Sequence, residues 1–280
     1  MIPKEGNGMA HVALISGAGS GIGLATVQKF LDEGVHVVGL GRDRAKLDNM
    51  ERLIGRDGAR AVGIALNITG DEAPVQAVEF AMATFGRVDY LVNNAGVGSP
   101  KPVHETDDET LDYFLGLMLR APFRLARETL KVMQPGSAIV NVSSTYALLG
   151  GLRGGAYSAA KAGLLGLTSH MAAQYGSYGI RSNAVAPGVI PTPMVAHRLD
   201  NPQFHRMNYD MTPSERTGTA EDVANAIYFL ASPSAGWING QVLAIDGGWS
   251  STKFLSEKAL LAERLPVETD WTHSGKPATK

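Results

Sequence analysis

The chain has 280 residues, 44% of them hydrophobic, with a formal net charge of −2 and no cysteine. That is ample apolar material for a large core. The near-neutral balance offers no footprint for nucleic acid, and the missing thiols exclude disulfides, cysteine-ligated metals and thiol nucleophiles.

Short apolar runs rich in Val, Ile, Leu and Ala read as strands at 11–16, 35–40, 59–66, 88–93, 137–143, 180–186 and 241–246. Helical patterns lie between them near 21–33, 43–53, 71–85, 107–133, 155–177 and 219–231. Strand–helix alternation with continuously apolar strands predicts an α/β fold. The expected architecture is a Rossmann-like, doubly wound, seven-stranded parallel sheet flanked by helices, in a single domain over residues 1–250. Residues 187–218 are punctuated by prolines and follow the sixth strand, as a substrate loop would. Residues 251–280 read as a C-terminal extension, either mobile or an oligomer contact. The opening MIPKEGNGMAHVALISG lacks the apolar stretch of a signal peptide, and no run approaches the roughly 18–20 apolar residues of a membrane span. A cytoplasmic protein with no membrane partner is expected. No paired His/Asp/Glu spacing suggests a metal site.

Three stretches carry chemistry. SGAGSGIG (16–23) follows the first strand. It misses the G-x-G-x-x-G spacing but places Gly17, Gly21 and Gly23 where a tight turn can bring backbone close to a pyrophosphate at a helix N-terminus. The second strand ends in VVGLGRD, with Gly41 where an acid would bind a ribose 2′-hydroxyl and Arg42 next to it. An arginine without that acid favours NADP(H) over NAD(H); the alternative is a solvated arginine occupied by Asp43. In GAYSAAKAGL, Tyr157 and Lys161 stand four apart, on one face of a helix. An ammonium near a phenol favours the phenolate and would ready Tyr157 for proton transfer.

SGAGSGIG, NNAG (93–96), the serines at 143–144, YSAAK, NAVAPG (183–188) and DGG (246–248) occur in the order seen in short-chain dehydrogenases/reductases. The resemblance spans about residues 10–248 and is to the single-domain alcohol/ketone branch. It implies hydride transfer between a nicotinamide and a secondary alcohol or ketone. Ser144, thirteen residues before Tyr157, would hydrogen-bond the substrate oxygen; Ser143 is its neighbour and rival. Tyr157 would act as general acid or base, and Lys161 would also hold the nicotinamide ribose. The cofactor would lie on Gly17, Ser20, Gly21, Ile22, Gly23 and Arg42, with Asn67 and Ile68 beside the adenine. Asn93, Ala95 and Gly96 would line its ribose and nicotinamide side, and Pro187, Gly188, Val189 and Thr192 would follow the carboxamide and phosphate. A homodimer or homotetramer pairing through the long helices is implied as well.

One position departs from the family pattern. The segment LDYFLGLMLRAPFRLAR places Met118 where an asparagine typically completes the catalytic set. That asparagine is thought to bind a water relaying protons from the lysine, which a thioether cannot do. Two readings stay open: an enzyme with a missing or rerouted relay, and a dinucleotide-binding regulator or scaffold with little turnover. The substrate pocket is expected after Gly96, at 145–151 and in the loop from Val189 to about Tyr209. Leu148, Leu149, Val189, Met194, Phe204 and Met207 would make the substrate mostly apolar, and Tyr146, His197, Arg198 and His205 could add polar selection.

Overall fold

The computed structural model describes residues 10–98, 101–151 and 154–251. Its strands are β1 (Val12–Ser16), β2 (His36–Gly41), β3 (Ala61–Ala65), β4 (Tyr90–Asn93), β5 (Ala138–Val142), β6 (Arg181–Pro187) and β7 (Val242–Ile245). All neighbouring pairs are parallel, in the order β3-β2-β1-β4-β5-β6-β7. Every residue of β1 and β5 is buried, because each strand has a partner on both edges and helices on both faces.

The period-two alternation of a strand sorts the core into two layers. Ala13 and Ile15 of β1 join Val27 and Phe30 of α1 (Gly21–Asp32) and Val223 and Ile227 of α8 (Ala220–Ala231) on one face. Val12 and Leu14 face the other way, against Ala77 and Ala81 of α3 (Ala73–Phe85). Leu125 of α5 (Ala121–Thr129) and Met171 of α6 (Gly155–Tyr175) complete that layer. The chain order reverses between β1 and β4, which opens a crevice over the carboxyl ends of the strands.

Two elements differ from the sequence expectation. The helix predicted over 107–133 is divided into α4 (Asp108–Leu115) and α5 by a π turn, Gly116–Arg120. Pro122 has no N–H to send to the Met118 carbonyl, so a regular ladder cannot run through this point. The loop 187–218 is built of short pieces: a 3₁₀ turn at Ala196–Arg198, α7 (Pro202–His205) and a second π turn, Arg206–Asp210. The short helix after β2 is α2 (Arg44–Glu51). Of the C-terminal extension expected at 251–280, all but Ser251 lies outside the described residues. Among the described residues no helix is long and apolar enough to cross a membrane.

Candidate active site

A cleft of about 390 Å³ lies over the carboxyl ends of β1, β2, β4, β5 and β6. At its phosphate end the chain leaves β1 through Gly17, whose φ of +69° is open to glycine at little cost. The next constraint is contact. A Cβ on Gly23 would stand 2.0 Å from the Gly17 carbonyl oxygen, so only glycine lets α1 begin this close to the loop. Ser20 precedes α1 in an extended conformation without a side-chain cap, whereas α2, α4 and α8 are capped by Asp43, Asp107 and Thr219. The first N–H groups of α1 are thus left for a ligand, and Gly17, Ser20, Gly21, Ile22 and Gly23 all line the cleft there. This cradle fits a pyrophosphate.

The loop is braced from just after β4, by a residue that the sequence reading did not single out. Asn94 donates through Nδ2 to the carbonyls of Ser16 at 3.0 Å and Gly17 at 3.3 Å, and lines the cleft. Asn93 does not reach the cleft. Its buried carboxamide donates to Asn141 Oδ1 at 2.9 Å, behind the sheet ends. Successive strand residues point to opposite faces, so the two asparagines of NNAG part company. The doublet itself was visible, but only the register decides which member faces the ligand. Ala95 and Gly96 line the cleft, and the Ala95 N–H donates to the Ser16 hydroxyl at 3.1 Å.

The part of the cleft beyond β2, where the adenosine was expected, is lined by Arg42, Asn67 and Ile68, together with Asp43 and Lys46. Arg44, the other nearby cation, is engaged by Asp48, Glu51 and the Gly63 carbonyl. Lys46 sits 3.8 Å from Asp43 and was not anticipated; it projects from the first turn of α2, which packs on Gly19.

Ser144, Tyr157 and Lys161 meet at the centre. The Ser144 side chain accepts from the Tyr146 N–H at 3.2 Å and hydrogen-bonds the Tyr157 side chain. Ser143 is occupied elsewhere: its hydroxyl donates to the Lys161 carbonyl at 2.8 Å and ties β5 to α6. Of the two serines, only Ser144 is therefore hydrogen-bonded to Tyr157. Lys161 is buried, its Nζ 5.8 Å from the Tyr157 ring centroid and donating to the Val142 carbonyl at 2.7 Å. Burial lowers its pKa to about 8. Burial also raises the Tyr157 phenol, a shift that the Ser144 hydrogen bond opposes. Burial is the largest influence on the phenol, and it favours the protonated form at rest.

Met118 is fully buried within the π turn. A Cβ on Gly96 would lie 3.3 Å from its sulfur and 3.7 Å from Lys161 Nζ, so sulfur and ammonium both border the space beside Gly96. Pro187, Gly188, Val189 and Thr192 line the far wall, with the Thr192 side chain over Gly21. Beyond them, Tyr146, Met194, His197, Arg198 and Phe204 border the cleft. Leu148, Leu149, Met207 and His205 do not border it. The two leucines are exposed, and His205 pairs with Asp210 at 3.2 Å.

A parallel sheet with a dinucleotide-sized cleft at its switch point, and a serine–tyrosine–lysine cluster inside that cleft, defines a class of nucleotide-dependent oxidoreductases. Known proteins agree. A family model described as enoyl-(acyl carrier protein) reductase matches residues 17–250. The A-factor type gamma-butyrolactone 1′-reductase (1S-forming) of Streptomyces virginiae is 35% identical over 255 residues, covering 89% of this chain and 99% of the relative. The cis-4-hydroxycyclohexanecarboxylate dehydrogenase of Sinomonas cyclohexanicum is 37% identical over 244 residues, covering 86% and 97%. Among solved structures, levodione reductase superposes with a TM-score of 0.81 at 32% identity, covering 86% of this chain and 98% of that one. The chain belongs to the short-chain dehydrogenase/reductase family. It is an oxidoreductase of that family acting on CH–OH groups with a nicotinamide dinucleotide.

Proposed function

We propose that the protein is an NADP(H)-linked oxidoreductase that interconverts a secondary alcohol and a ketone, with Tyr157 as the proton carrier. The observation that carries this reading is the meeting of Ser144, Tyr157 and Lys161 inside one cleft with the glycine cradle. A bound nicotinamide supplies the hydride in reduction and accepts it in oxidation. Ser144 holds the substrate oxygen, and the protonated Tyr157 phenol gives its proton to that oxygen as the carbonyl becomes an alcohol. In oxidation the phenolate takes the proton back. Lys161 stabilises the phenolate and would hold the ribose hydroxyls; Gly17 and Ser20–Gly23 would hold the pyrophosphate. Arg42, with Lys46 beside it, would receive a 2′-phosphate, the reason for preferring NADP(H). The test is NADPH oxidation with a panel of cyclic and aryl ketones, checked against Tyr157→Phe. Turnover that survives this substitution removes Tyr157 from its role.

The regulator reading has one observation in its favour: buried Met118, in place of an amide beside Lys161. Dinucleotide binding without turnover of any ketone would support it. The reading also includes a cytoplasmic homodimer or homotetramer. Tyr113 on α4 and Phe123 on α5 leave 44% and 52% of their surfaces exposed, as a helical pairing face would. A monomer by light scattering would exclude such pairing.

A further inference from the structure

Much of the cleft wall is apolar. Val97, Leu117, Val189 and Met194 line it, and Met194 packs on Gly98, where a Cβ would lie 3.3 Å from its Cγ. A wall of this kind holds the body of a ligand, while a few polar groups set its orientation. Two such groups, the Ser144 hydroxyl and the Tyr157 phenol, meet at the reacting centre. A third, the Tyr146 phenol, has no part in the chemistry proposed above.

Tyr146 has little room to move. It lies on the 3₁₀ turn Thr145–Ala147 that directly follows Ser144, and its N–H donates to the Ser144 side chain at 3.2 Å. Its ring fills the space where Gly151 would carry a Cβ, which would stand 2.1 Å from Tyr146 Cε1. The Trp249 ring lies 6.4 Å away, tilted by 30°, and that indole is anchored by donating to the Met207 carbonyl at 3.0 Å. Burial raises the Tyr146 phenol above its ordinary pKa, a shift that the Arg198 charge opposes, so the group is a donor at neutral pH. A half-buried tyrosine usually finds a partner for its hydroxyl. Among the described residues no side chain or carbonyl hydrogen-bonds this one, and Tyr146 lines the cleft.

We infer that Tyr146 is a specificity-determining residue whose hydroxyl donates to a second oxygen of the substrate, a carbonyl, hydroxyl or ether on an otherwise apolar body. Ser144 and Tyr157 hold the reacting oxygen, Tyr146 holds the other, and attachment at two points fixes how the carbonyl faces the nicotinamide. This rests on the proposed function only in taking the space beside Ser144 and Tyr157 as the substrate site. The test is calorimetric titration of the protein saturated with NADP⁺, in which a ketone cannot be reduced. The probes are 2-, 3- and 4-methoxycyclohexanone, each beside the ethyl counterpart in which CH₂ replaces the ether oxygen. For at least one position the ratio of affinities, methoxy to ethyl, should fall about threefold or more on Tyr146→Phe, as the loss of one neutral hydrogen bond requires. NADP⁺ affinity should stay within about twofold.

A ratio that Tyr146→Phe leaves unchanged at every position overturns the inference, as does failure of every methoxy ketone to bind the natural protein. So does a variant that weakens methoxy and ethyl members alike, which would make the ring a wall of the cleft and nothing more. A loss of NADP⁺ affinity with the ratio intact would assign the hydroxyl to the cofactor and likewise overturn it. NADPH oxidation with the same ketones judges the proposed function separately. Turnover with a ratio indifferent to Tyr146 sinks this inference and leaves that reading standing; a Tyr146-dependent ratio without turnover does the reverse.

Discussion

The two ends of the cleft are built in different ways. At the end proposed for the cofactor the wall is backbone: β1, the Gly17 turn and the first turn of α1, locked by Ser16 and by the Asn94 carboxamide. Almost no other residue type fits there, since a single added Cβ at Gly23 collides with a carbonyl. At the end proposed for the substrate the wall is made of side chains carried on short turns between β6 and α8, where Met194 is 41% exposed. Backbone recognition restricts sequence severely and so leaves a motif. Side-chain recognition asks only for shape and a charge, which many sequences provide.

Substitutions at the two ends and at the catalytic centre sharpen that contrast. The largest effect is expected where chemistry occurs. Tyr157→Phe should lower kcat by roughly 10²–10⁴-fold, the usual worth of a general acid, while NADPH affinity by fluorescence titration stays within about twofold. A parallel loss of affinity would show that the phenol serves binding as well. Next comes the backbone end. Gly23→Ala should abolish measurable NADPH binding and lower the melting temperature, overpacking costing roughly 1–3 kcal/mol at about 2–4 °C per kcal/mol. An alanine variant that binds normally would mean that α1 can slide away from the loop at little cost.

Arg42→Ala should cost NADPH about 1.5–3 kcal/mol, roughly ten- to a hundredfold in Kd, and leave NADH affinity nearly unchanged. Loss of both alike would break the link to the 2′-phosphate. The pH dependence follows from the centre. In the proposed mechanism, reduction uses the protonated phenol, raised by burial, beside the Lys161 ammonium, whose pKa burial lowers to about 8. Raising the pH removes a proton first from Lys161, so kcat/KM for ketone reduction should hold to about pH 8 and fall above it. A rate that climbs from pH 7 to 9 would contradict this order. The smallest effect is expected at Met118. Met118→Asn should change kcat by less than about tenfold, or 1.4 kcal/mol, because Ser144, Tyr157 and Lys161 all remain. A larger gain would show that the sulfur handicaps the enzyme.

Much of this could be read before any coordinates were considered. Seven strands with continuous apolar runs require neighbours and cover on all sides, and so the parallel layered sheet follows from composition and rhythm. The glycine spacing, the Tyr157–Lys161 pair and Arg42 were visible because each does a job that few residue types can do. What stayed hidden was relational. Asn94 rather than Asn93 reaches the loop because of strand register. Ser144 rather than Ser143 meets Tyr157 because the neighbour is taken by a backbone carbonyl eighteen residues on. The helix over 107–133 reads as continuous by periodicity, yet a π turn interrupts it where Pro122 removes the N–H that the Met118 carbonyl would accept.

The linear chain alone therefore determined the layered sheet and the glycine turn, and it put forward the candidate reacting groups, since these depend on local backbone freedom and intrinsic side-chain chemistry. Only the tertiary structure decided the burial of Lys161 and the different partners of Ser143 and Ser144. Those depend on which groups distant in sequence exclude water from one another, and no spacing along the chain records that.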